Sequence, residues 1–337
     1  MAATAESDTT PFTPEEIRSA WVQAARLRTL PLAAAGSFIA AGVAAHEGAF
    51  RPGVFALMFI VSVLLQVIAN FADDYGDLAH GLDDETRVGP KRGMQRGIIT
   101  PAQMKRALVG MSALTFALGC ALIAVAFWGG PAIGGETWIA ASCFVVLGAV
   151  CIAAAILYTV GPHPYGYLGL GDIVSAFFFG IVAVVGGSFL YLHAFDPVAV
   201  LAGVALGLPV AAVMNINNMR DSAADAAKGK RTIANRLYAR QSGLGPEAGE
   251  RAMRSYHLTL IWCSVALFLV TVVLAGGITL RSLAGAVIVC LCARPLVSAT
   301  YGVVRQPDHT KLDRFMAPTS MGTVLLALGA TAALVLV

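Results

Sequence analysis

The chain has 337 residues, of which 57% are hydrophobic and only 13% are charged, and its net charge is +3. With a mean hydropathy of +0.74, this composition excludes an ordinary water-soluble enzyme and indicates a protein that crosses a bilayer several times. The small net charge gives no indication of a nucleic-acid partner, and six Cys without a CxxC pair indicate neither a disulfide framework nor a zinc site.

The first 28 residues are a polar segment that mixes acidic and basic side chains and lacks the apolar region of a secretory signal. Within it, Thr13-Pro14-Glu15-Glu16 predicts a helix with a capping box and Pro at its first position. A helix over 14–28 would place Ile17 and Trp21 on one side. Two interpretations stay open here, an interfacial helix at the membrane surface and a solvated helix that leads into the first span.

Apolar runs of about 20 residues, the length that a spanning helix needs, follow one another along the rest of the chain. They predict nine spans, near 29–46, 53–72, 105–128, 138–158, 173–193, 197–219, 255–276, 282–303 and 315–337. The polar segments between them are too short for a soluble domain. We therefore predict an all-α membrane protein with an N-terminal cytoplasmic or interfacial segment over 1–28 and a single transmembrane domain over 29–337.

The basic residues predict an orientation for these spans. With nine spans and a cytoplasmic N-terminus, 20 of the 23 Lys and Arg lie on the cytoplasmic side. Only Arg51 and Arg281 lie on the other side, and Arg294 falls inside a span. The sequence thus predicts a multi-pass protein of the inner (plasma) membrane whose N-terminus is cytoplasmic and whose C-terminus faces outward.

One polar pattern, N-x-x-D-x-x-x-D-x-x-x-G, occurs twice, each time where an apolar run ends. The first copy runs from Asn70 to Gly81 and the second from Asn218 to Gly229, 148 residues later at every position. Asp residues four apart share one face of a helix, where their charges repel unless a cation lies between them. The repetition favours two related halves whose helix ends face each other across one cavity.

Two such pairs, Asp73 with Asp77 and Asp221 with Asp225, offer four carboxylates near the membrane surface. Carboxylate oxygens suit Mg²⁺, an ion that commonly bridges to substrate phosphates. Acids that merely mark span ends would be the simpler interpretation, but the other span ends carry Lys and Arg. The pattern therefore favours Mg²⁺ and a diphosphate substrate whose apolar tail lies in the bilayer.

Basic residues follow each Asp motif. After the first come Arg87, Lys91, Arg92 and Arg96, and after the second come Lys228, Lys230 and Arg231. The positive-inside rule explains a basic surplus in these loops without any ligand. The functional interpretation is that some of these side chains bind the oxygens of a diphosphate and stabilise it as a leaving group. Both can hold, so each residue is a candidate.

The segment from Tyr158 to Asp172 connects two spans on the same side without any Lys or Arg. Its Gly and Pro residues alone predict a turn. Three Tyr and the terminal Asp172 favour a substrate-contacting loop instead, because Tyr rings attract cations. Tyr158, Tyr165 and Asp172 are the candidate contacts.

These motifs together resemble the UbiA superfamily of intramembrane prenyltransferases, and within it the branch that acts on 1,4-dihydroxy-2-naphthoate in menaquinone synthesis. The resemblance runs from about Trp21 to the last span. It rests on the strings ARLRTLP from Ala25, DDYGD from Asp73, RVGPKRGMQRGIIT from Arg87, YGYLGLGD from Tyr165 and NNMRD from Asn217. The first string by itself would be only a basic anchor before a membrane helix.

The resemblance implies a bundle of nine transmembrane helices with two Mg²⁺-binding Asp motifs on facing helices and a cavity that opens to the cytoplasmic leaflet. Carried over by position, Asp77, Asp221 and Asp225 are the strongest catalytic metal ligands. Asp73 stands where the family usually has Asn, so its contact with the metal stays open, and Asp74 and Asp83 rank behind it. The residues implied to bind substrate are Asn70, Arg28, Lys91, Arg92, Arg96, Tyr158, Tyr165, Asp172, Asn218, Lys228, Lys230 and Arg231.

The activity that the resemblance implies is transfer of a polyprenyl group from its diphosphate to 1,4-dihydroxy-2-naphthoate, with release of CO₂ and diphosphate. The partners would be these two substrates and the lipid bilayer, with no obligatory protein partner. One alternative is another aromatic acceptor such as 4-hydroxybenzoate or homogentisate. A cation-coupled transporter is an alternative of another class, although its acids would lie near the membrane centre. A phosphatidyl-type phosphotransferase would carry its Asp cluster in one stretch.

Overall fold

The structure is a computed structural model that describes residues 12–81, 91–128 and 135–337. Asp83 and Arg87 lie outside these residues, as does part of the N-terminal segment. The described chain forms twelve α-helices joined by short turns and 3₁₀ segments. Their bounds are α1 Pro14–Ala25, α2 Leu30–His46, α3 Pro52–Ala79, α4 Pro101–Trp128, α5 Gly135–Leu157, α6 Gly171–Leu192, α7 Pro197–Arg220, α8 Ser222–Ala227, α9 Ile233–Gln241, α10 Pro246–Gly276, α11 Leu280–Arg305 and α12 Met316–Leu336.

Local sequence signals account for several helix starts. Thr13 caps α1 through the predicted capping box with Glu16, and α3, α4 and α7 all begin at a Pro. Proline suits the first helical position because its missing N–H would have no partner there. The predicted helix over 14–28 is shorter than expected, since the chain turns at Arg26, whose φ is 53°.

Eight of the described helices are long and apolar enough to cross a membrane, and α1 with α2, bent by 44°, would count as a ninth. The prediction of nine spans is confirmed in this sense. The span predicted over 53–72 continues to Ala79, so the first Asp motif lies on the last turns of α3. The second motif begins on α7 and passes through Asp221 into the short helix α8.

Helices α2, α7 and α12 are the most buried of the long helices and form the centre of the bundle. In α7, 67% of the apolar window is buried and in α12 61% is buried, against 6% in the peripheral helix α5. A large apolar cluster, which includes Ile39, Leu206 and Phe268, packs α7 against α2, α10, α11 and α12. The other face of α7 turns toward α6, and this side of the bundle contains the cavity described below.

Close contact between α6 and α7 depends on glycine. A Cβ atom added at Gly180 of α6 would lie 2.3 Å from the carbonyl oxygen of Gly203 and 2.9 Å from the Cα of Gly207, both on α7. In a bilayer the hydrophobic effect does not drive helices together, so they associate through close packing, and small residues allow their backbones to approach. Gly180 lies in the π-helical part of α6, Phe177–Gly186, a widened turn that is often found at functional sites.

We expect Gly180→Leu to lower the free energy of unfolding by about 1–3 kcal/mol or more, because the added side chain overpacks the contact between α6 and α7. The measurement is the thermal unfolding midpoint of the purified protein in detergent. Gly110→Leu is the matched control, since a Cβ at Gly110 meets no atom within 4 Å. Equal midpoints for the two variants would contradict this account of the packing.

Candidate active site

A cavity of about 880 Å³ opens at the end of the bundle that carries both Asp motifs. Its apolar part runs between α3, α4, α5 and α6, where Leu65, Phe116 and Phe179 are among the lining residues. Its polar part is lined by both motifs, through Asp73 and Asp77 from the first and Asp221 and Asp225 from the second. The sequence prediction that the motifs face one cavity is therefore consistent with the geometry.

Arginine side chains hold the first motif. Arg92 lies 3.0 Å from Asp73, 3.0 Å from Asp74 and 3.2 Å from Asp77, measured between guanidinium nitrogens and carboxylate oxygens. Arg26 donates to Asp73 and, over 2.9 Å, to Asp74. Because Asp74 is only 2% exposed, it needs such compensation for its charge. The cluster thus brings together three chain segments, the end of α1, the end of α3 and the loop after it.

Different cations hold the second motif. Arg220 donates to both oxygens of Asp221, over 2.8 and 2.7 Å, and also contacts Asp313 at 2.5 Å. Lys230 lies 3.3 Å from Oδ2 of Asp225. Burial raises the pKa of Asp225, and Lys230 offsets part of that shift.

Lys230 and Tyr167 lie where the two motifs meet. Burial by itself lowers the pKa of Lys230, but the carboxylates of Asp225, Asp77 and Asp73 outweigh it and leave the pKa raised. The Tyr167 hydroxyl donates to Asp77 over 2.9 Å, and its ring centroid lies 5.7 Å from the Lys230 ammonium. One aromatic side chain therefore contacts an acid of the first motif and a cation of the second.

The 3₁₀ turn Tyr165–Leu168 brings Tyr167 to this position. Gly169 follows it with a φ of 77°, and a Cβ there would lie 2.1 Å from the carbonyl oxygen of Arg231. Only glycine allows this close approach between the loop and the segment after the second motif. Tyr158 and Tyr165 also line the cavity, with ring centroids 5.4 Å apart. Burial raises the pKa of Tyr165 to about 12.

The two Asn residues that begin the motifs make matching contacts. Asn70 donates over 2.9 Å to the carbonyl of Ala25, 45 residues upstream. Asn218 donates over 2.7 Å to Asp172, 46 residues upstream. Both motifs end in glycines with positive φ, 68° at Gly81 and 77° at Gly229. The similarity of the two halves thus extends beyond the Asp pattern. In each half, the Asn of the motif donates a hydrogen bond to a residue 45 or 46 positions upstream.

The structure places most of the predicted site residues around the cavity. Those that line it are Asn70, Arg28, Lys91, Arg92, Tyr158, Tyr165, Asn218, Lys228 and Lys230, together with Asp73, Asp77, Asp221 and Asp225. Arg28 is also ion-paired with Asp313 at 3.0 Å, and Lys228 donates to the carbonyl of Gly81 over 3.4 Å.

Three predicted substrate contacts lie elsewhere. Asp172 is 1% exposed and pairs with Asn218 behind the cavity wall. Arg96 and Arg231 have exposed side chains and are not among the lining residues. For these three the geometry does not place the side chain at the cavity, and a role in substrate binding stays a prediction.

Sequence reasoning missed Arg26 and Tyr167 as site residues. The sequence around Arg26 predicts a basic anchor, whereas the left-handed backbone of Arg26 turns its side chain toward Asp73 and Asp74. Its position in the string that carries the resemblance was the available signal. Tyr167 belongs to the same aromatic loop as the predicted contacts Tyr158 and Tyr165, but nothing local distinguishes it from Tyr165.

The acids fit a divalent metal by their chemistry. Among the described residues no group of three or more His, Cys, Asp or Glu side chains is arranged to hold an ion by itself. Mg²⁺ commonly needs only one or two carboxylates and completes its coordination with water and substrate phosphates. The pairs Asp73 with Asp77 and Asp221 with Asp225, all lining one cavity, meet that requirement.

Known proteins resemble the chain over most of its length. The 1,4-dihydroxy-2-naphthoate octaprenyltransferase of Escherichia coli (strain K12) is 39% identical over 306 residues, which cover 91% of this chain and 92% of that protein. The protein of the same name from Haemophilus influenzae is 43% identical over 219 residues, or 64% of this chain and 68% of that one.

Solved structures share the fold. A UbiA homolog from Aeropyrum pernix K1 gives a TM-score of 0.59 at 18% identity, covering 87% of this chain and 94% of that chain. A digeranylgeranylglyceryl phosphate synthase gives a TM-score of 0.56 at 14% identity, covering 95% and 99%. The sequence profile of the UbiA prenyltransferase family matches residues 34–321. The chain, a multi-pass membrane enzyme of prenyl transfer, therefore belongs to the UbiA prenyltransferase family.

Proposed function

We propose that this enzyme transfers a polyprenyl group from its diphosphate to 1,4-dihydroxy-2-naphthoate, giving demethylmenaquinol. The observation that carries the proposal is a single cavity with acids and cations at one end and apolar walls along the rest. Such a cavity suits an amphipathic substrate with a diphosphate head and an isoprenoid tail. The acceptor follows from the relatives, since both that are described above carry the name of a dihydroxynaphthoate octaprenyltransferase.

The polar end would bind the diphosphate. The family's enzymes use a divalent metal for diphosphate binding, and we propose Mg²⁺ held by Asp77, Asp221 and Asp225, with Asp73 beside them. When bound, this ion would supply positive charge against the departing diphosphate. Lys230 and Arg92 lie among these acids and would donate to the phosphate oxygens as negative charge develops on them.

The chemical step needs no nucleophile from the protein. The allylic carbon–oxygen bond breaks, and the resulting cation forms a bond to the ring carbon that carries the carboxylate. Loss of CO₂ from that carbon returns the electron pair to the ring. Apolar walls exclude water that would capture the cation, and the faces of Tyr158 and Tyr165 at the cavity offer it cation–π attraction.

The alternatives are less well supported. A transporter would be expected to hold its acids near the membrane midplane, whereas here both Asp motifs lie at one end of the bundle, on the last turns of α3 and α7 and in α8. Another acceptor, 4-hydroxybenzoate or homogentisate, would suit the same cavity chemistry. The names of the relatives favour the naphthoate.

The test incubates purified protein and Mg²⁺ with several polyprenyl diphosphates and each of the three acceptors, and products are identified by mass. We expect a decarboxylated prenyl naphthoquinol, and no product when a chelator removes the metal. Asp77→Asn and Asp225→Asn should each lower turnover about a hundredfold or more, because each removes a charged oxygen ligand at the diphosphate site. Glu247→Gln, whose side chain is 90% exposed, is the control. Wild-type turnover in either Asp variant at normal expression would contradict the carboxylate site.

Asp73→Asn should have a milder effect. One oxygen of Asp73 already accepts from both Arg26 and Arg92, and an amide oxygen can accept the same bonds. We expect substantial activity and a rise in the Mg²⁺ concentration for half-maximal rate of less than tenfold, which corresponds to about 1.4 kcal/mol. A Mg²⁺ titration measures it, and a larger rise would indicate that Asp73 ligates the metal directly.

We also infer that the N-terminus and the cavity mouth face the cytoplasm. The support is the distribution of basic residues, 20 of 23 on that side. Arg240→Cys and Phe195→Cys place an exposed thiol at opposite ends of the bundle. A membrane-impermeant thiol reagent on intact cells should label position 195 and not 240, while native Cys inside the spans react slowly. The reverse pattern would overturn the orientation.

A further inference from the structure

Arg294 is an isolated charge on the outer surface of the bundle. Its side chain is exposed on α11, and exposed apolar neighbours, Val287 and Leu291, lie on the same helix face one and two turns away. Within the described part of the chain, Arg294 has no ion pair or hydrogen bond. The cavity lining, as far as the chain is described, includes no residue of α11, so this charge does not belong to the active site.

The position of Arg294 along α11 places it inside the hydrocarbon layer. At 1.5 Å per residue it lies about 16 Å from Arg305 at one helix end and about 21 Å from Leu280 at the other. Near the first end, Arg305 lies 5.6 Å from the ring centroid of the exposed Tyr301, a combination typical of a membrane interface. Arg294 is about 10 Å deeper than Tyr301.

This depth argues against a lipid headgroup as the ligand. An arginine side chain extends about 6–7 Å, and on a helix it leans toward the N-terminus, which for α11 means away from Tyr301. A phosphate at the surface would therefore be reached only if the bilayer thinned markedly. Charged residues in spanning helices usually pair with one another or face a polar interior, and Arg294 does neither within this chain.

A second copy of the chain does not supply an acidic partner for Arg294 either. A symmetric dimer in a membrane has its axis along the bilayer normal, so equivalent residues meet at equal depth and two Arg294 side chains would repel. The sequence has no Asp or Glu between residues 251 and 307 or between 314 and 337, which covers α11, α12 and nearly all of α10. The neighbouring faces therefore offer no acid at the depth of Arg294.

The backbone at this point is also open to a partner. Pro295 lies inside α11 and has no N–H, so the carbonyl of Leu291 loses its intrahelical donor. A guanidinium and a carbonyl acceptor thus lie together on an otherwise apolar strip. We propose that this strip, formed by Val287, Leu291 and Arg294, docks a spanning helix of another membrane protein that carries an Asp or Glu at mid-membrane.

The test uses synthetic polyleucine spanning peptides in phosphatidylcholine vesicles that contain the purified full-length protein. One peptide carries a single central Glu and its control has Leu there. A photoreactive benzoylphenylalanine in place of Leu291 measures contact by crosslinking. We expect the Glu peptide to be captured about threefold or more above the Leu peptide, as expected for one interhelical polar pair. In Arg294→Leu the capture should fall to the level of the Leu peptide, with prenyl transfer unchanged.

Two further experiments test whether capture of the Glu peptide is specific to α11 or is a general effect of charge. In the first, Arg294→Leu is combined with Val146→Arg, and the photoreactive residue replaces Val150, both exposed positions on α5. Capture there as strong as at α11 would mean that any lipid-facing arginine at mid-membrane depth suffices, and it would overturn a docking surface on α11. In the second, phosphatidylglycerol replaces part of the neutral lipid. Loss of capture would assign Arg294 to anionic lipid and overturn the proposal, and retained capture supports it.

Discussion

The carboxylates clustered at one end of the bundle need cations beside them, and this need ties distant segments of the chain together. Five Asp residues lie within the two motifs, and three of them, Asp74, Asp77 and Asp225, are buried. Arg92 contacts all three acids of the first motif, and Arg26 shares two of them. Removing one partner of such a buried pair leaves an uncompensated charge, so the chain segments that carry the cations are tied to the helix ends that carry the acids.

The two halves meet this constraint in similar frameworks with different cations. Asn70 and Asn218 each anchor their helix to a group 45 or 46 residues upstream. The first motif uses guanidinium groups from two separate segments, whereas the second uses the adjacent Arg220 and Lys230. Both motifs thus use a forked guanidinium, and the second adds the compact ammonium of Lys230 at Asp225.

The sequence predicts features that depend on local pattern. Hydropathy over about 20 residues predicts the spans, and α7 is found at Pro197–Arg220 where 197–219 was expected. Local sequence patterns also predict the capping box at Thr13 and the position of both Asp motifs at one end of the bundle. Their spacing also predicts which Asp side chains share a cavity, since i and i+4 share a helix face.

Features that depend on contacts distant in sequence escape such reasoning. Asp172 ends a polar loop and resembles a ligand, yet it is buried against Asn218 across 46 residues. In the sequence, Arg26 resembles an interfacial anchor. Its left-handed conformation, with a φ of 53°, is uncommon for a residue other than glycine, so the sequence does not predict the turn that brings its side chain to the acids. Arg96 and Arg231 belong to the same basic loops as Arg92 and Lys230, and only the packed structure distinguishes those that reach the acids.

The packing of α7 against its neighbours helps to determine the geometry of the cavity. α7 carries the start of the second motif, and its outer face packs against α10, α11 and α12 through residues such as Leu206, Phe268 and Leu296. On its inner face, contact with α6 occurs at backbone distance, through Gly180, Gly203 and Gly207. This packing on both faces fixes where α7 ends, and therefore where Asp221 and Asp225 begin their turn into α8. Residues of α4 and α5 also line the cavity, and α5 is the least buried of the described spanning helices, so an isoprenoid tail would meet lipid on this side.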